Sequence, residues 1–183
     1  MALDRGSECE KLFRLFARWV GDGLDGRALN AAGDLAVTAA QFRCLEFLAG
    51  QQRCSIGDIS DGLVISDPAS TKLVDRLERK GLVGRQECRQ DRRVVYVALS
   101  ETGLGLVRKV STERDALARV VLDDFPPDRL DLLAGLLESL LESALDSRET
   151  IARVCLRCGN GHSSQCVVSR AHATLTRGEG SWP

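Results

Sequence analysis

The chain has 183 residues, 44% hydrophobic and 28% charged, which bounds it to one compact domain with room for an appendage. Aromatics are only 4%, so leucine, valine and alanine must fill the core, and the net charge of -1 advertises no anionic partner for the chain as a whole. No run of about 18 apolar residues exists, and the start Met1-Ala-Leu-Asp-Arg-Gly-Ser-Glu8 lacks a secretion-signal layout. A spanning helix is therefore excluded, and a cytoplasmic location with no membrane partner is expected.

From Glu8 to about Asn30, Leu12, Leu15, Phe16 and Trp19 recur at spacings of three and four, which predicts an amphipathic helix weakened later by Gly21, Gly23, Gly26 and Gly33. Thr38-Ala-Ala-Gln41 reads as a capping box opening a second helix through Phe42, Leu45 and Leu48 to Gly50. Ile56–Leu63 is about two further turns. Asp67-Pro68 then supplies a cap and a first-turn proline for a helix that runs to Lys80 and stops at Gly81. Leu73, Val74 and Leu77 form its inward stripe, leaving Ser70, Thr71, Lys72, Asp75, Arg76 and Arg79 on the other faces. A short helix, a tight connection and a second helix with a polar, basic side is a helix-turn-helix layout.

Two strand-like runs follow, Leu82 to Cys88 and Val94 to Leu99. Arg89-Gln90-Asp91-Arg92-Arg93 joins them, giving a β-hairpin with a basic tip, a wing. Ser100 starts a long helix to about Phe125, Pro126-Pro127 break it, and a last helix is expected from Asp128 to about Val154 with a broad stripe of Leu133, Leu136, Leu137, Leu140, Leu141 and Leu145. The expected organisation is an N-terminal dimerisation helix (1–34), a DNA-reading domain (35–100) and C-terminal dimerisation helices (101–154). A Cys/His motif (155–172) and a loose tail (173–183) complete it.

Charge is unevenly spread. Ala69 to Arg93 carries eight Lys/Arg against four Asp/Glu, whereas Ser111 to Thr150 carries four against ten. The basic middle holds what reading a duplex needs. An α-helix fits the major groove, where Ser70, Thr71, Lys72 and Arg76 would reach base edges and phosphates. A thin arm with Arg89, Arg92 and Arg93 would enter the minor groove, Asp91 orienting one guanidinium. Any surface helix can carry lysine and arginine, so charge alone does not decide the matter.

Taken in order, Ile56-Gly-Asp-Ile-Ser, Asp67-Pro-Ala-Ser-Thr-Lys-Leu-Val-Asp-Arg-Leu-Glu-Arg-Lys-Gly-Leu-Val, Asp91-Arg-Arg and Val97-Ala-Leu-Ser-Glu-Thr-Gly103 resemble the multiple-antibiotic-resistance regulator (MarR) family. The likeness covers about Leu35 to Val110, and helix order extends it to about Val154. It implies a mainly α fold with a small β-hairpin wing, a winged helix-turn-helix whose N- and C-terminal helices form a dimerisation region. It also implies a homodimer on a pseudo-palindromic operator in double-stranded DNA, usually a repressor relieved by a small-molecule effector or by oxidation. Ser70, Thr71, Lys72 and Arg76 fall on the family's recognition helix, and Asp91, Arg92 and Arg93 on its wing. Independently, the leucine stripe is wider than one small lobe needs, which suits a two-fold pair holding its reading helices about 34–36 Å apart.

Seven cysteines in a reducing compartment argue against a disulfide framework. Cys155-Leu-Arg-Cys158-Gly-Asn-Gly-His162-Ser-Ser-Gln-Cys166 clusters three of them with one of the two histidines. A Cys-x2-Cys pair lets two thiolates close on one metal, and His162 and Cys166 complete a Cys3His set suited to zinc. An iron–sulfur cluster with one unusual ligand fits as well, with Cys9 an extra ligand and His172 a spare. Some family members resemble the chain here, but His162 stands where another cysteine is usual. The alternative is a peroxide-sensing or small-molecule-responsive regulator in which these cysteines are structural zinc ligands or free thiols. Some relatives sense peroxide through a cysteine in the first helix, yet Cys9, between Glu8 and Glu10, lacks an electropositive setting. Cys44 is expected in the core, Cys88 on a wing strand and Cys54 partly exposed. An enzyme is not expected: two histidines, no Ser/His/Asp arrangement and no phosphate loop leave little for catalysis.

Overall fold

Among the described residues, four helix starts are set by a side chain that replaces a missing backbone partner. The computed structural model describes residues 4–33, 36–51, 53–87, 95–147, 150–151, 154 and 166–175. Helix α1 (Arg5–Arg18) begins at Asp4, whose carboxylate accepts from Gly6 N–H. It continues through a π-helical stretch, Trp19–Asp25, into α2 (Gly26–Ala31). Of the glycines expected to weaken the first helix, Gly21 and Gly23 instead sit in this widened turn and Gly26 just after it, where Gly26 N–H bonds Gly21 O five residues back, while Gly33, at φ 131, lies past the end of α2.

Helix α3 (Ala39–Ala49) opens on the predicted capping box: Thr38 Oγ1 accepts from Gln41 N–H at 3.3 Å, and Gln41 Oε1 accepts from Thr38 N–H at 3.1 Å. Strand β1 (Cys54–Ser55) leads into α4 (Ile56–Leu63), capped reciprocally by Ser55 and Asp58. Helix α4 closes on Ile65 N–H to Ser60 O and Val64 N–H to Asp61 O. That pairing puts Val64 at φ 55, a position usually taken by glycine and uncommon for a β-branched residue. The turn is pinned further by the Ser60 hydroxyl, which bonds the Asp67 carboxylate.

Helix α5 (Asp67–Arg79) follows with its cap one residue earlier than expected, at Ser66, so Asp67 is the first helical residue and Pro68 lies in the first turn. Its end is as predicted. Gly81, at φ 70, lets Leu82 N–H reach Leu77 O and Gly81 N–H reach Glu78 O. Strands β2 (Val83–Glu87) and β3 (Val95–Leu99) pair antiparallel from Val83↔Leu99 to Glu87↔Val95. β1 adds to the other edge of β3 by Cys54↔Val97, giving the order β1-β3-β2. Two residues long, β1 carries too little pattern to be read in sequence.

Helix α6 (Glu101–Leu122) is capped by Ser100, whose hydroxyl accepts from Gly103 N–H at 3.0 Å. One core is built from Phe42, Leu45 and Leu48 of α3, Ile59 of α4, Val74 and Leu77 of α5, Val97 of β3 and Val110 of α6. The result is a winged helix-turn-helix, mainly α with a small antiparallel sheet.

The C-terminal part differs from expectation. Helix α7 (Pro127–Ala144) ends about ten residues early, because Leu145 leaves helical geometry (φ -90, ψ 60) to bury its side chain. Ser147 then caps a new turn, its hydroxyl accepting from Thr150 N–H. A further helix, α8 (Val167–Leu175), occupies what was expected to be motif and loose tail. Leu145, Ile151, Val168 and Ala171 form a second small core, and Arg170 reaches Glu138 at 2.9 Å and Glu142 at 3.1 Å on α7. No helix among the described residues is long and apolar enough to cross a membrane.

Candidate nucleic-acid interface

Helix α5 lies across α4, and the contact between them decides which of its side chains can face a ligand. Ser70, expected among the base readers, is fully buried with its hydroxyl 3.4 Å from Ile56 O. This corrects the expectation from sequence: a small residue is needed where the two helices cross, and Ser70 fills that place rather than facing outward. Thr71, Lys72 and Arg76 are exposed as expected. Thr71 Oγ1 donates to Asp67 O at 2.9 Å, leaving its lone pairs outward. Arg79, not singled out from sequence as a reader, is also exposed. It stands four and seven residues from Asp75 and Lys72, so Lys72, Arg76 and Arg79 share one outer face.

Two other basic residues of this segment, Arg85 and Lys80, are used internally. Arg85 on β2 reaches back to α5, Nη2 at 2.6 Å from Asp75 Oδ1 and Nη1 at 2.7 Å from Glu78 Oε2. The hydrogen bond to Asp75 raises the Arg85 pKa still further, so the guanidinium stays charged. One arginine thereby ties the wing to α5 and offsets two carboxylates that would repel phosphate. Lys80 Nζ donates to Ala36 O at 2.6 Å and Gln41 Oε1 at 3.1 Å, holding the end of α5 against α3. At the opposite sheet edge the Arg53 guanidinium lies 4.7 Å over the Tyr96 ring, a cation–π contact between residues too far apart in the chain to be paired by any local pattern.

Arg89, Asp91, Arg92 and Arg93, with Cys88, lie outside the described residues, as do Cys155, Cys158 and His162. Of the expected metal ligands, Cys166 is described, half-buried just before α8, and Cys9 is exposed on α1. Among the described residues no three Cys, His, Asp or Glu side chains come together as a metal site. Cys44 is in the core as expected. Cys54, expected partly exposed, is also buried, because pairing of β1 with the edge of β3 brings it into the core. Burial pushes the Cys44 thiol up to about 12, with Cys54 adding to it, and the Cys54 thiol up to about 11, with Asp58 adding to it. Both stay protonated at neutral pH and are poor nucleophiles.

A family model described as the MarR family matches residues 37–95, the segment from just before α3 to the first residue of β3. The HTH-type transcriptional regulator FarR of Neisseria gonorrhoeae is 30% identical over 113 residues, which cover 61% of this chain and 77% of FarR. The chain belongs to the MarR family. Similar to it is the homoprotocatechuate degradative operon repressor of Escherichia coli, 27% identical over 115 residues that cover 63% of this chain and 78% of the repressor. Among solved structures, a MarR family protein from Bacillus stearothermophilus superposes with a TM-score of 0.67 at 28% identity, covering 79% of this chain and 98% of that one. About a fifth of this MarR-family chain therefore has no counterpart in that structure.

Proposed function

We propose that this chain is a homodimeric transcriptional repressor that reads a pseudo-palindromic operator in double-stranded DNA, and that its C-terminal cysteines hold a metal centre. The observation that carries the first part is the outer face of α5, where Lys72, Arg76 and Arg79 line up beside Thr71. In a major groove, Lys72 and Arg76 supply charge-assisted bonds to phosphates or guanine edges, and Thr71 a short polar contact. Arg89, Arg92 and Arg93 act from the wing on the adjacent minor groove, with Asp91 orienting one of them. The repressor reading is supported by the name of the Escherichia coli relative.

The homodimer is supported by two apolar faces that the single chain leaves open. Leu12, Leu15 and Phe16 on α1 and Leu132, Leu136 and Leu140 on α7 are each more than two-fifths exposed. A second copy is the partner that buries both faces at once. Helix α8 docks along Glu138, Glu142 and Leu145, a different stripe of α7, and so leaves that leucine seam free.

Changing Arg92 to alanine is expected to weaken operator binding and lower the slope of log affinity against log salt by about 1. Unchanged affinity and slope would show that the wing makes no such contact. For the metal centre, Cys155, Cys158, His162 and Cys166 are the ligands, closing on zinc or on an iron–sulfur cluster. Protein purified without oxygen is expected to carry either zinc, without colour, or iron and sulfide with visible absorption. Elemental analysis that finds neither removes the metal reading.

A further inference from the structure

Helix α6 presents an inward stripe of Leu106, Val110 and Leu117, and Arg114 interrupts it one turn beyond Val110. An arginine costs more than a leucine at such a place unless it is paired. Its Nη2 donates to Glu46 Oε1 of α3 at 2.8 Å, and its Nε is 2.7 Å from Asp25 Oδ1, at the end of the π-helical stretch. The Nε contact is a charge contact without hydrogen-bond alignment, and this buried nitrogen has no hydrogen-bond partner among the described residues. The Glu46 side chain is 13% exposed and that of Asp25 46%, so the Glu46 arm is the stronger and the Asp25 arm the looser. Burial pushes the Glu46 carboxyl up, while Arg114 and Arg43 pull it down.

The three charges belong to three parts of the molecule. Glu46 is in the helix that carries the winged lobe's core. Asp25 joins α2 to the N-terminal helix whose apolar face awaits a partner, and Arg114 is on the long helix that leads to α7. We propose that Arg114, bridging Glu46 and Asp25, is a positioning residue that fixes the angle between each winged lobe and the dimer-forming helices, and with it the spacing of the operator half-sites. The inference rests on the DNA-reading homodimer proposed above. An apolar side chain at 114 would pack the same stripe, but it would let α3 slide and rotate against α6. A buried ion pair is weak as a source of stability; its attested use is to fix register.

The test compares duplexes selected from a random pool by the wild type and by Arg114→Met/Glu46→Gln, which leaves no uncompensated charge buried in that core. The wild type is expected to enrich two half-sites at one spacing. The double variant is expected to enrich the same half-site words at several spacings, and to bind the wild-type spacing roughly tenfold more weakly, an effect in the range of a single altered interaction. A single sharp spacing identical to the wild type's overturns the inference, whatever happens to affinity or melting temperature. If the double variant does not fold, Asp25→Asn, which alters only the half-exposed arm, carries the same test: a spacing preference as sharp as the wild type's overturns it. Failure of the wild type to enrich any duplex instead defeats the DNA reading, and the positioning role falls with it.

Discussion

Gly103→Ala is expected to destabilise the protein by about 3 kcal/mol, through forced overpacking against backbone. A methyl group built at Gly103 meets Leu82 O at 2.0 Å and Leu82 C at 3.0 Å. Neither atom is free to move. Leu82 N–H closes the end of α5, and Leu82 O accepts from the N–H of Ser100, the residue that caps α6. The glycine thus lets the first turn of α6 lie directly on the strand entering the wing. The same helix supplies an internal control two residues on, because a methyl at Gly105, which is exposed, meets nothing within 4 Å. Gly105→Ala is expected to be neutral or to gain up to about 1 kcal/mol from helix propensity. For a chain of this length, thermal unfolding should place Gly103→Ala about 6–12 °C below the wild type. Equal melting temperatures for the two variants would mean that α6 does not seat on Leu82 in this way.

The second large effect belongs to the outer face of α5. Lys72→Ala/Arg76→Ala is expected to lower operator affinity roughly 100-fold or more, at about 1–3 kcal/mol for each base interaction removed. A side chain that binds phosphate instead reveals itself, when removed, by a fall of about 1 in the salt slope, so binding measured at several salt concentrations says which role each residue has. Ser70→Ala gives the contrast. Ser70 is buried against Ile56 O, so removing its hydroxyl should leave salt slope and base preference as in the wild type while lowering stability slightly. A base preference altered by Ser70→Ala but untouched by the double substitution would reverse the assignment of faces on α5.

Much of the winged lobe was legible in sequence because its signals are local. The Thr38/Gln41 box, Pro68 in the first turn of α5, Gly81 after its end and Ser100 before α6 each act over a few residues, and the structure places each helix boundary within a residue or so of them. The run Val94 to Leu99, rich in β-branched residues, likewise marked a strand, which the structure forms over Val95–Leu99. Ser70 and Arg85 were less transparent. Counted by composition, one looks like a polar reader and the other like one more basic residue for phosphate. Ser70 is instead a small packing residue, and Arg85 is engaged with Asp75 and Glu78, because each faces another element. The leucine periodicity after Pro127 ran on past Ala144 and hid the break at Leu145, where the side chain's partners include residues of α8, more than twenty positions later.

By itself, then, the order of amino acids determined the succession of helices and wing strands in the winged lobe, the family to which the chain belongs and, on the outer face of α5, the exposure of Thr71, Lys72 and Arg76. Caps, stops and periodic stripes depend on neighbours within one or two turns, and those neighbours are fixed by the covalent chain. Tertiary packing alone decided that Ser70 turns inward, that Arg85 and Lys80 are taken up by internal partners, that a third strand borders the wing, and that Arg114 gathers Glu46 and Asp25. Those outcomes join residues up to 89 positions apart, as Arg114 and Asp25 are, and such a pairing exists only once a core has brought the two elements together.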